Sequence, residues 1–187
     1  NMAKVVCATR VGNMKDPNPE TRGTVDVLDL PVKKLGDDDV LIKVAYCGIC
    51  GSDPHVVDGC FNKPEDAPFG IGHEMSGVIE RLGKNATAKG LKVGDRVGGN
   101  FLGYCGKCYQ CSIGHPEYCT GVSNQPCMAE YVVWNEAQVC KLPDGVSLRE
   151  GSLMEPLSIA VRAMDKIGML VGKRVLVSGG GPIGLLC

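Results

Sequence analysis

Four cysteines, Cys105, Cys108, Cys111 and Cys119, lie within fifteen residues in the spacing Cys-x2-Cys-x2-Cys-x7-Cys, beside Gly103, Gly106 and Gly114. Four thiolates this close in sequence can surround one zinc ion tetrahedrally, which stabilises the local fold and leaves no coordination position open to a substrate. Two disulfides and an iron–sulfur cluster are the competing readings, because four sulfurs alone do not separate zinc from iron. A second set of residues is mixed. Cys50 is followed by Gly51-Ser52-Asp53-Pro54-His55, and His73-Glu74 follows Gly72. One thiolate, one imidazole and one carboxylate from separate loops supply three ligands and keep a fourth position free, the pattern of a catalytic zinc. Singly, a buried Cys is usually a small hydrophobe and a His an ordinary hydrogen-bonding residue. The combination carries the reading, in a chain whose three histidines are His55, His73 and His115. Near the C-terminal end, Gly179-x-Gly181-x-x-Gly184 follows an apolar segment, the order in which a dinucleotide pyrophosphate meets a helix N-terminus.

These residues need a scaffold, and composition bounds its kind. The chain has 187 residues with 20 Lys+Arg against 21 Asp+Glu, a net charge of −1, so it has no basic field for nucleic acid or an anionic membrane. No apolar run approaches the roughly 18 residues of a membrane span. Aromatic residues are scarce, at 5%, which leaves packing to Val, Ile, Leu, Met and Cys. The cysteines number eleven, an odd count, and the N-terminal NMAKVVCATRV has no apolar signal region. A reduced, cytoplasmic protein with metal-binding thiols is the expectation from these features.

Strands are expected at 5–11 and 24–30, joined by the polar turn 14–21, and at 39–45, 75–82, 95–98, 129–134 and 138–142. Ser52 is expected as the N-cap of a short helix over 52–57. Residues up to about 145 therefore read as a barrel-like β domain. From Ser147, a capping-box pattern with Glu150 opens a helical region over 153–169, expected as two helices broken at Pro156. Residues 174–178, RVLVS, read as a strand of a sheet buried on both faces.

The stretches GICGSDPH (48–55), GIGHEMSG (70–77), KVGDRV (92–97), the four-cysteine lobe and VLVSGGGPIG (175–184) resemble the zinc-dependent medium-chain alcohol and polyol dehydrogenases over essentially the whole chain. His73-Glu74 with Gly72, Gly77 and Gly83 is similar to that family's zinc signature. The resemblance implies a mainly β, GroES-like catalytic domain at 1–150, with a structural zinc lobe at 100–120. It further implies linker helices and the truncated start of an NAD(P)-binding Rossmann domain at 151–187. By position, Cys50 and His73 would bind a catalytic zinc and Asp53 would orient His73 through its free ring N–H. Ser52 would take the hydroxyl proton of an alcohol that gives hydride to the nicotinamide, and His55 would pass that proton to solvent. Ordinary alternatives are a helix cap for Ser52 and a surface position for His55.

The ethanol-oxidising branch has a second Cys where this sequence has Glu155, so the likeness is to the sorbitol, butanediol and threonine dehydrogenase branch, with Glu74 or Glu155 completing the site. A helix-terminal carboxylate is the plain alternative for Glu155. Gly179, Gly181 and Gly184 would hold NAD or NADP, the choice between them resting on an acidic residue beyond Cys187. The implied activity is hydride transfer between an alcohol or polyol and its aldehyde or ketone, with a small-molecule partner, no nucleic acid and no membrane. The resemblance also implies a homo-oligomeric parent and a segment inactive alone, while the apolar strand expected at 174–178, without a sheet to join, is expected to pair with a second copy or pack back on the 153–169 helices. Two rivals stand beside it: a zinc-stabilised binding module without activity, and a reductase of activated double bonds, a class that generally lacks the paired zinc motifs.

Overall fold

The computed structural model describes residues 1–87, 89–168 and 172–187. In chain order the strands are β1 (Met2–Arg10), β2 (Thr24–Pro31), β3 (Asp39–Gly48), β4 (Phe69–Gly70), β5 (Glu74–Leu82), β6 (Arg96–Gly99), β7 (Leu102–Gly103), β8 (Ser123–Asn124), β9 (Tyr131–Asn135) and β10 (Val139–Lys141). The helices are α1 (Ser52–Val57), α2 (Tyr109–Ser112), α3 (Leu148–Gly151), α4 (Met154–Ile167) and α5 (Pro182–Leu186). The fold is mainly β, as the alternating and continuous apolar runs require.

A five-stranded antiparallel sheet, in the order β10-β6-β5-β3-β9, forms the centre, and β2-β1-β4 makes a second sheet beside it. Backbone bonds stitch the two: the Val6 N–H donates to the Met128 carbonyl at 2.8 Å and the Glu130 N–H to the Lys4 carbonyl at 2.9 Å. Val40, Ile42, Met75, Ile79, Val97, Val132, Trp134 and Val139 fill one core, with Cys127 among them. Trp134, the largest buried side chain, satisfies its indole N–H on the Gln125 carbonyl at 3.2 Å. A smaller cluster of Ala8, Val57 and Ile71 seats α1 against the second sheet.

Three local expectations are corrected. The N-cap of α1 is Gly51 and Ser52 is the first helical residue, because the carboxylate of Asp53 already engages the loop from inside the first turn. Pro156 does not break a helix. It is the third residue of the continuous α4, where a helix N–H has no intrahelical acceptor and its loss is cheap, and the interruption falls instead at 152–153. Met169, where that segment was expected to end, lies outside the described residues. Residues 174–178 have no regular structure: Val175, Leu176 and Val177 are exposed, Leu176 at 92%, and a strand needs a partner ladder that the described residues do not offer it. The Ser147–Glu150 capping box is present, with the Ser147 hydroxyl oxygen accepting from the Glu150 N–H.

Helices α3 and α4 dock on the central sheet. Ser76 on β5 donates its hydroxyl to the Leu148 carbonyl, and the Met154 side chain lies over Gly98 on β6. That docking carries Glu155, in the first turn of α4, toward the end of β5 where Glu74 begins the strand.

Candidate metal centres

The end of β3 and the start of β5 are register partners, Gly48 opposite Glu74, so pairing alone brings the loop holding Cys50 beside His73-Glu74. A side chain at Gly48 would collide with the Glu74 carboxylate, which folds over that glycine. Gly72 has φ +87°, and a Cβ there would lie 2.7 Å from the Cβ of Met128, so only glycine permits the turn that aims His73 inward. One ligand atom from each of Cys50, His73 and Glu74 lies within 4.8 Å of the others. This spacing suits a common cation.

Asp53, buried at 4% exposure, braces two of the three. Its Oδ2 accepts the Cys50 backbone N–H at 2.9 Å and its Oδ1 lies 3.5 Å from His73 Nδ1. That carboxylate raises the His73 imidazole to about 9, against the opposing effect of burial. The ring of Phe101 covers His73 with centroids 5.0 Å apart.

A cavity of about 490 Å³ opens beside His73, lined by Ser52, Asp53, His73, Phe61, Phe101 and Asn124 among others. A larger groove, about 680 Å³ and lined by Lys33, Lys34, Glu80 and Arg81, lies apart from both cysteine-bearing centres.

Not every expected residue converges. Glu155 does not belong to the close trio. It is half-buried, and burial pushes its carboxyl up, with the neighbouring His73 charge acting against that and Glu74 with it. Ser52 lines the cavity, whereas His55 is exposed on α1 and does not.

The four cysteines of the second centre also place their sulfurs within 4.8 Å of one another. The β7–β8 pair closes the base of this lobe, and α2 carries Cys111. Backbone N–H groups converge on the sulfurs: Cys105 and Gly121 donate to Cys119 Sγ, and Cys108 donates to Cys105 Sγ, each at 3.3 Å. The backbone N–H groups of Cys111 and Thr120 hold the Cys108 thiol down, to about 5, while burial pushes Cys111 up to about 12. Cys108 Sγ and Cys119 Sγ are 3.9 Å apart, and all eleven cysteines are free thiols. The donor set, four sulfurs with inward N–H groups, fits a closed tetrahedral ion.

Residues 36–144 match the family model described as the alcohol dehydrogenase GroES-like domain. The chain belongs to that family. It is 40% identical over 168 residues to the Aspergillus fumigatus protein named "Probable D-xylulose reductase A", covering 85% of this chain and 46% of that protein. It is 38% identical over 165 residues to an Escherichia coli L-threonine 3-dehydrogenase, covering 84% of this chain and 48% of that protein. A Sinorhizobium meliloti structure, named a candidate zinc-binding dehydrogenase and bound to NADP, superposes with a TM-score of 0.79 at 29% identity. The match covers 100% of this chain and 52% of that one. The chain thus spans about half the length of the curated relatives it matches. Among the described residues no helix is long and apolar enough to cross a membrane.

Three features escaped the sequence reading. The cover of Phe101 on His73 joins residues 28 apart through an irregular loop and leaves no periodic signal. Nor do Phe61 and Asn124, which meet only at the cavity. The spacing Cys47-x2-Cys50 is visible in the sequence, but Cys47 does not join the trio, and its sulfur lies 3.8 Å from that of Cys127.

At the C-terminal end, Gly181 caps α5 in an extended conformation and Gly179 has φ +108°. A Cβ at Gly184 would strike the Gly179 carbonyl, so the third glycine lets the helix close on the turn.

Proposed function

We propose that this chain supplies the catalytic domain, residues 1–150, of a zinc-dependent NAD(P)-linked oxidoreductase that interconverts an alcohol or polyol and its carbonyl compound. Residues 151–187 then form linker helices and the opening of the nucleotide-binding domain. The observation that carries the reading is the Cys50, His73 and Glu74 trio, with ligand atoms within 4.8 Å of one another, whose His73 lines a cavity together with Ser52. Cys50, His73 and Glu74 would hold the catalytic ion, and Cys105, Cys108, Cys111 and Cys119 a structural one. A catalytic zinc supplies a Lewis acid that polarises an alcohol oxygen.

The chain's own residues do the rest. Asp53 fixes the Cys50 loop through its N–H and orients His73 from behind, which keeps the ring's Nε2 free for a ligand role. Phe101 excludes water from one face of His73. Ser52 accepts the substrate's hydroxyl proton at Oγ, and His55, exposed three residues along α1, releases it to solvent. Glu155 contributes charge and hydrogen-bonding capacity just outside the trio. Gly179, Gly181 and Gly184 receive the pyrophosphate of NAD or NADP.

The substrates in the relatives' names supply the first assay: D-xylulose with reduced nicotinamide cofactor and L-threonine with oxidised cofactor, in a polypeptide that carries both domains. Zinc-dependent turnover that His73→Ala abolishes supports the proposal. Absence of hydride transfer to or from a panel of alcohols and polyols, with both metal centres filled, would favour the binding-module reading.

A further inference from the structure

Beside the Gly72 turn, Cys47 and Cys127 place their sulfurs 3.8 Å apart, although 80 residues separate them in sequence. Both are free thiols and neither belongs to a ligand cluster. Their access differs sharply. Cys127 is fully buried in the main core, while Cys47 is half-buried and lines a surface groove of about 360 Å³ with Tyr46, Met128 and Glu130. A disulfide requires the sulfurs to approach to about 2.05 Å, a closure of under 2 Å from the present separation.

We infer that Cys47 and Cys127 form an oxidation site, in which a small peroxide entering the groove converts the pair to a reversible disulfide. The Cys47 thiolate attacks one peroxide oxygen, the O–O bond breaks, and hydroxide leaves, giving a sulfenic acid at Cys47. The Cys127 sulfur then attacks the Cys47 sulfur, the S–O bond breaks, and the Cys127 proton leaves with the departing oxygen as water. Two thiols lose two electrons and the peroxide gains them. An added dithiol reverses the step by exchange.

The position of the pair couples it to the metal centre. Cys47 is two residues before Ile49 and three before Cys50 on one chain segment. On the other, the Cys127 N–H donates to the Gly72 carbonyl at 3.0 Å, directly before His73. The new bond would therefore join the segments that carry Cys50 and His73. This inference stands apart from the proposed hydride transfer, since any zinc-loaded form of the chain can test it.

The test is peroxide treatment of zinc-loaded protein, alkylation under denaturing conditions, and non-reducing peptide mapping with tandem mass spectrometry. The expected result is one linkage, Cys47 to Cys127, with two fewer alkylatable thiols per chain and full recovery after dithiol. Cys50→Ser should retain the linkage. Cys47→Ser should lose it, and Cys127→Ser should instead leave a Cys47 sulfenic acid that a dione probe traps. The inference is overturned if Cys127 in the wild-type protein stays fully alkylatable after peroxide, or if Cys47 links to Cys50 or to a lobe cysteine. Mapping of the wild-type protein decides the matter even if the Cys127 variant fails to fold.

Discussion

The two metal-type centres are built in opposite ways. All four sulfurs of the lobe come from one fifteen-residue segment, wrapped by its own N–H groups and closed by the short β7–β8 pair. Cys50, His73 and Glu74 come from a loop, a turn and a strand end, and they meet only because β3 and β5 pair in register and Asp53 ties loop to turn. The lobe is a short loop that folds on its ion, whereas the trio is held by the fold around it. An ion should therefore matter for structure at the first centre and for chemistry at the second.

The largest predicted effect breaks the lobe. Cys108→Ser removes one of four thiolates from a site whose binding energy, by analogy with zinc-finger peptides, is on the order of 10 kcal/mol. Limited proteolysis should cut within 100–120 while the central sheet persists. Intact resistance in that segment would mean the lobe folds without its ion. The matching change at the trio, Cys50→Ser, should leave the proteolysis pattern unchanged and abolish only the second ion's binding.

Asp53→Asn should come next. The amide oxygen can still accept the Cys50 N–H, but the charge facing His73 is gone, and loss of such a supporting carboxylate typically lowers metal affinity 10–100-fold. Competition with a chromogenic chelator measures this directly. Unchanged affinity would show that Asp53 serves the loop alone.

A smaller contrast separates the two glutamates. Glu74→Gln should weaken the trio's ion by about tenfold or more, because it alters a ligand, while Glu155→Gln should change affinity by less than about threefold, because Glu155 lies outside the close set. Equal effects would place Glu155 among the ligands.

The smallest effect lies far from both centres. Ser147→Ala removes the α3 cap and should cost about 1 kcal/mol, read as a lowered Tm. The Ser147 hydroxyl and N–H hold the Glu150 carboxyl below its usual range. This contribution is present above the unfolded value, about 4.3, and is lost as pH falls through the lower folded value. The wild-type advantage over Ser147→Ala should accordingly shrink on acidification.

The same contrast explains what was legible in the sequence. The lobe was readable because its ligands are local and their spacing is itself the signal. The strands of the two sheets, apart from the two-residue β4, are readable from their apolar runs to within a few residues, as is the capping box at Ser147. The trio needed more, since no single residue identifies it; the neighbourhood of Cys50 and His73 followed from the family resemblance, and their separation only from the β3–β5 register. What failed depended on tertiary context. Pro156 carries a breaking signal in the sequence but occupies a first turn, and residues 174–178 have the apolar run of a strand without a partner to pair. Cys127 gave no signal at all, because its partner is 80 residues away.

The most direct test of the account is zinc content during graded chelation of the zinc-loaded protein, followed by metal analysis and native mass spectrometry. Two zinc ions per chain, leaving in two separate steps with the four-cysteine ion last and only its departure loosening the 100–120 segment, is the predicted result. A single zinc per chain, or loss of both ions in one step together with the whole fold, would contradict the division into a self-contained structural centre and a fold-held reactive one.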